Sequence, residues 1–283
     1  MLNGDLKKSA LHKLEKAHSV YQTEIKHTQE SSEKLYSLRQ SSSEEVLASV
    51  EDYVNSLTNH PKEFDRSFAE FRAEYQTFNQ IINDIKNEAD GVDIKAGGSA
   101  AAGVATGVGV AALAPTAAMA VATTFGAAST GTAISALSGA AATNAALAWL
   151  GGGALAAGGG GMAAGNALLA LAGPVGWAIG GTALVGGTMF ARSKNKKVAE
   201  AANNKRREIE VYNKQLQTAQ HEVGKLHDLT SQHVQGMMQT LAVLKSDAPT
   251  NYQQFSSDQK NRLSALVNHV RSLSVLLNKK IET

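Results

Sequence analysis

The stretch FDRSFAEFRAEYQTFNQIINDI, residues 64–85, decides how the polar parts of this chain fold. Its large apolar residues fall at Phe64, Phe68, Phe71, Tyr75, Phe78, Ile82 and Ile85, with spacings of 4-3-4-3-4-3. Alternating steps of three and four put side chains on one stripe of an α-helix, whereas a half-buried strand would alternate with period two. The stretch therefore predicts a long amphipathic helix with a heptad seam. Phe64, Phe68, Phe71, Tyr75, Phe78 and Ile82 are expected to form a bundle core. Asn59 is placed to cap this helix and Pro61 suits its first turn.

The same period continues on either side. Upstream, Leu11, Leu14, Tyr21, Ile25 and Leu35 follow a weaker seam, with His18, Thr28 and Ser32 between them. Ser42 and Glu45 have capping-box spacing ahead of Val46, Val50, Tyr53 and Leu57. Downstream, Ile209, Tyr212, Leu216, Ala219, Val223 and Leu226 step by three and four, and Val234, Met237, Leu241 and Leu244 extend the stripe. Asp247-Ala248-Pro249-Thr250 breaks it, and Ser256 with Gln259 opens a last helix with its seam at Leu263, Leu266, Val270, Leu273 and Leu277. A helix from about 193 to 246 would be roughly 80 Å long. The fold class these patterns predict is all-α, an elongated bundle of long coiled-coil helices around a central Ala/Gly-rich hydrophobic helical hairpin region.

That central region is set apart by charge. Residues 96–191 contain no Asp, Glu, Lys or Arg and hold 22 of the 26 glycines. The chain thus divides into N-terminal amphipathic helices over 1–95, an uncharged block over 96–191, and C-terminal amphipathic helices over 192–283. The first flank carries 12 basic and 17 acidic side chains, a net of −5; the last carries 15 and 8, a net of +7. Opposite charge favours packing of one flank on the other. The whole chain has a formal charge of only +2, unlike a generic nucleic-acid binder.

At about 20 residues per crossing, the block has length for four membrane spans, with pieces at 100–125, 127–147, 147–171 and 174–191. It is mostly Ala and Gly, and large apolar residues are sparse before Leu168. Such a composition suits close backbone packing where water is excluded better than unconditional anchoring. Gly103 and Gly107, Gly161 and Gly165, and Gly176 and Gly180 have the small-xxx-small spacing of tightly packed membrane helices. Trp149 and Trp177 are candidate interfacial anchors. Arg192, Lys194, Lys196 and Lys197 follow the block directly and are candidates for contact with anionic headgroups.

Enzymatic constellations are missing from the sequence. There is no GxxxxGK[ST] loop, GxSxG elbow or HExxH pair. His221, His227 and His233 are six apart, which is not ligand spacing on one helical face. With no cysteine there is neither disulfide nor thiol chemistry. The expectation is a non-enzyme with no cofactor, small-molecule substrate or nucleic-acid partner. MLNGDLKKSALHK at the start lacks the apolar run of a secretory signal. The expected location is therefore cytoplasmic synthesis followed by membrane association or non-classical export.

In layout, two long helical flanks around an uncharged hydrophobic block, the chain resembles α-helical pore-forming toxins of the haemolysin E and tripartite enterotoxin type. TNAALAWLGGGALAAGGGGMAAGNALLALAGPVGWAIGG, residues 143–181, also resembles glycine-rich segments of bacterial membrane-active proteins. The toxin resemblance implies a soluble form that shelters its hydrophobic region, then inserts it into a lipid bilayer as a homo-oligomer or with partner subunits. Two other expectations fit the same sequence: a constitutive membrane-anchored coiled-coil scaffold or secretion translocator subunit, and a soluble structural protein with an occluded Ala/Gly core.

Overall fold

The computed structural model describes residues 4–95, Ala120, Thr124 and residues 191–281. These residues are mostly helical and none lies in a strand. Helix α1 spans Gly4–Ser41 and is followed by a π-helical turn, Ser42–Val46, and helix α2, Leu47–Ser56. Helix α3 runs over Lys62–Lys95, α4 over Ala191–Asp247 and α5 over Ser257–Leu277, with a short 3₁₀ turn at Tyr252–Gln254 before α5. Among the described residues no helix is long and apolar enough to cross a membrane.

The helices pack side by side, and their contacts fix the directions. Ala10 packs with Ala199 and Ala202, and Gln220 reaches Glu24, so α1 and α4 run parallel. Phe78 stacks on Tyr36, Tyr75 bonds Glu44 and Arg72 pairs with Glu51, so α3 runs back along α1 and α2. His233 meets His269 and Gln259 reaches the Asp247 carbonyl, so α5 runs back along α4. Arg271 donates to Ser67 and Asn278 to Glu74, which sets α5 beside α3, in parallel. The order around the bundle is α1, α4, α5, α3.

One seam of apolar residues fills the interior. Phe64, Phe68, Phe71, Phe78 and Ile82 are buried there, and Tyr75 packs against its margin, half-buried. Tyr21, Leu35, Leu216, Met237, Leu244 and Leu263 are fully buried from the other helices. Thr28, Ser32 and Thr230 sit in the same core without orphaned hydroxyls, because each donates to the carbonyl four residues back, at 2.7–2.8 Å.

The two connections at the upper end hold each other. Thr58 N–H donates to Thr250 O at 2.9 Å, and Tyr252 N–H donates to Thr58 O at 3.0 Å. The expected cap at Asn59 is not what forms. Asn59 takes a left-handed conformation, φ 63°, and its side chain donates to Asn251 Oδ1 at 3.1 Å. Asn is among the few non-glycine residues that accept this conformation. It turns the chain while the Pro61 carbonyl receives Phe64 N–H at the helix start. The Ser42–Glu45 capping box is likewise absent: Ser42 and Ser43 both donate to Arg39 O, at 3.1 and 2.7 Å, within the π-turn. These hydroxyls carry the helix through rather than starting a new one. At α5 the capping box does form, with Gln259 N–H to Ser256 Oγ at 3.2 Å and Ser256 N–H to Gln259 Oε1 at 2.9 Å.

The helix lengths position the rest. From the shared upper end, α3 extends about 50 Å and α4 about 85 Å, at 1.5 Å per residue. The C-terminus of α3 and the N-terminus of α4 therefore point the same way. α5 is far shorter, at 21 residues, and ends part-way down the bundle.

Candidate functional site

Below the end of α5, the bundle meets the uncharged block. Ala120 and Thr124 are both helical and fully buried, and Ala120 belongs to the same core as Leu35, Phe78 and Leu216. Ile281 N–H donates to Thr124 O at 2.9 Å, and Ile281 is itself buried. Thr124 Oγ1 donates to Ala120 O at 2.6 Å, which satisfies a hydroxyl that would otherwise be costly to bury. This contact is the described junction between the uncharged block and the amphipathic helices.

Two cations surround it. Arg39 of α1 is 1 % exposed and donates through Nη2 to Lys279 O at 2.8 Å, which ties α1 to the chain just past α5. Burial lowers the Arg39 pKa to about 10, so the guanidinium stays charged at neutral pH. Lys280 follows at once. Burial, and then the Arg39 charge, push its ammonium down to about 7. Asn278 donates to both Glu74 O and Glu74 Oε2, at 2.8 and 2.7 Å, and fixes the same corner to α3.

A second cluster joins α4 and α5 higher up. His233 Nδ1 and His269 Nδ1 are 2.9 Å apart, with ring centroids 5.2 Å apart and planes inclined by 65°. Both side chains are half-buried. Gly236, one turn beyond His233, makes the room: a Cβ there would lie 2.7 Å from His269 Nε2. Burial, and then the charge of His233, lower the His269 pKa. Among the described residues no group of three or more His, Asp or Glu stands together as a metal site. A cleft of about 370 Å³ at the upper end is lined by Asp52, Tyr53, Ser56, Lys245, Pro249 and Thr250.

The sequence-derived positions are placed as follows. Gly103, Gly107, Gly161, Gly165, Gly176, Gly180, Trp149 and Trp177 lie outside the described residues. Arg192 and Lys194 lie on the first turn of α4, where their side chains are not among those described. Lys196 and Lys197 are exposed, and Lys196 is 3.9 Å from Glu200. The aromatic seam runs down the bundle and ends near the junction, with Phe78 at the level of Ile281. The opposite charges of the two flanks act through no crossing Lys or Arg pair with Asp or Glu among the described residues. Crossing polar contacts include amides reaching Glu24 and Glu74, Arg271 reaching Ser67, and Arg39 reaching the Lys279 carbonyl.

Sequence reasoning missed Arg39 and the histidine pair. Arg39 continues the stripe Thr28, Ser32, Leu35 with the same four-three-four steps, so its position marks it as core although its charge does not. His233 and His269 stand 36 residues apart on different helices, and only tertiary packing brings them together. No protein-family model, no curated protein and no solved structure matches this chain.

Proposed function

We propose that this protein is a conditional membrane-inserting protein, pore-forming or membrane-disrupting in effect, whose helical bundle shelters the uncharged block until a bilayer or partner subunits draw it out. The observation that carries this reading is the burial of Ala120 and Thr124 beneath α5, fastened by Ile281. A block of 96 residues without a charged side chain needs a water-excluded partner, and here part of it has one. The bundle is the shelter in one state, and lipid is the partner in the other.

In the inserted state, the block forms membrane hairpins. Gly161, Gly165, Gly176 and Gly180 let neighbouring helices, from the same or other copies, approach closely. Residues 95 and 191 both leave toward the foot of the bundle, which favours an even number of crossings and keeps the two flanks on one side. Arg192, Lys194, Lys196 and Lys197 then meet anionic headgroups, with Trp149 and Trp177 at the interface. All these roles are binding and packing roles, with no catalytic step.

The test is purification without detergent, followed by flotation with liposomes and dye release. Protein that is soluble alone, floats with liposomes and releases dye supports the reading. Protein that floats without release favours a scaffold, and protein that never floats favours a permanently occluded Ala/Gly core.

A further inference from the structure

We propose that His233 and His269 form an acid-sensitive clasp that holds α5 on α4 near neutral pH and lets it swing away when both rings carry a proton. The inference rests on the membrane-inserting reading for its purpose, since it names what would unfasten the sheltered block, but the clasp itself is a property of the bundle.

The geometry sets the chemistry. Two Nδ1 atoms 2.9 Å apart share one proton: one ring donates and the other accepts through its lone pair. The contact survives with both rings neutral, or with one charged. A second proton removes the acceptor and leaves two like charges at hydrogen-bond distance. Gly236 has no side chain to keep the rings apart, and its substitution by any larger residue would crowd His269 Nε2.

Neighbouring charges do not offset this repulsion. On α4, Asp228 is exposed and bonded by His227 at 3.3 Å, and Glu222 is held by Lys225 at 2.7 Å. On α5, Arg262 pairs with Asp258 at 2.6 Å, and Arg271 donates to Ser67 of α3 at 2.8 Å. On α3, Arg66 pairs with Glu70 at 2.9 Å; on α1, Arg39 donates to Lys279 O; on α2, Asp52 lies at the upper end near Lys245. The charge that bears on His269 is that of His233.

The direction follows. A histidine whose folded pKa is lowered binds fewer protons closed than open, so closure is favoured above about 6.5 and is lost as pH falls below it. With one more proton bound in the open state, the opening constant rises by up to about tenfold per pH unit. Ile281 follows α5 and fastens Thr124, so opening of α5 that also releases Asn278 from Glu74 and Lys279 from Arg39 frees the junction.

Hydrogen–deuterium exchange of α5 in the intact chain, without lipid, at pH 7.0 and pH 5.0 tests this. Rates are corrected for the intrinsic pH dependence of amide exchange. Local exchange is read rather than global stability, because His18, lowered by burial, and His60, raised by its bond to the Leu57 carbonyl and then by Asp65, also titrate. The expected result is a rise in α5 opening from pH 7.0 to pH 5.0 in the wild type, by up to about 25-fold, and little rise in His269→Gln. A flat wild type, or an equal rise in His269→Gln, would overturn the clasp. Dye release from anionic vesicles at the two pH values separates the two ideas. Exchange that rises while vesicles stay sealed supports the clasp and counts against the membrane reading.

Discussion

Replacing Phe78 by Ala is the sharpest perturbation of the bundle. Phe78 is 0 % exposed, and its ring stacks on Tyr36 of the antiparallel helix, with centroids 5.9 Å apart and planes at 29°. Truncating a buried Phe to Ala costs about 3–5 kcal/mol, because transfer free energy is lost and the cavity collapses only in part. About 0.5–1.5 kcal/mol of that belongs to the ring pair. For a folded unit of this size each kcal/mol lowers Tm by about 2–4 °C, so the expected fall is about 6–20 °C. Circular dichroism at 222 nm during heating measures it, with urea midpoints as a second reading. Val275→Ala is the control on a neighbouring helix, since Val275 is 72 % exposed and its truncation should stay within about 0.5 kcal/mol. A fall for Phe78→Ala no larger than for Val275→Ala would refute the placement of the aromatic seam at the centre of the bundle.

Three other outcomes are expected. Ser256→Ala removes the acceptor of Gln259 N–H at the start of α5, which should cost about 0.5–2 kcal/mol in urea unfolding with an unchanged m-value. Lys280, with its pKa lowered from 10.5 to about 7, binds fewer protons folded than unfolded across that interval. Stability should therefore rise between pH 7 and pH 9.5, and Lys280→Met should flatten this rise, as read from urea midpoints at the two pH values. Replacing both Lys196 and Lys197 by Gln removes two exposed charges, each worth about 1 kcal/mol at an anionic surface. Partitioning onto anionic liposomes should fall by more than about tenfold, and partitioning onto neutral liposomes should change little.

The helical flanks were legible because burial imposes a period on the sequence. The 4-3 spacing from Phe64 to Ile82 marks a stripe, and the same residues line the core or its margin. The break at Asp247–Thr250 and the Ser256 cap were legible because proline and capping side chains act locally. Local rules failed where a distant partner decided the outcome. Asn59 turns rather than caps because Asn251 of the other connection holds it. Ser42 and Ser43 bond back to Arg39 because the helix continues through a π-turn. Arg39 was hidden by its charge although its spacing was that of a core residue, and its burial depends on a carbonyl 240 residues away. The junction at Thr124 and the histidine clasp had no local signature, because each is made by segments that meet only in the folded chain.

The central proposal is that the part of the uncharged block at Ala120 and Thr124, held at Ile281, must leave to act on a membrane. Since the chain has no native cysteine, Thr124→Cys with Ile281→Cys places a unique thiol pair at the junction. Dye release from anionic vesicles is measured before and after joining the two thiols with a short bismaleimide. The account predicts release by the unjoined protein and its loss on cross-linking. Equal release by the joined and unjoined forms would contradict it.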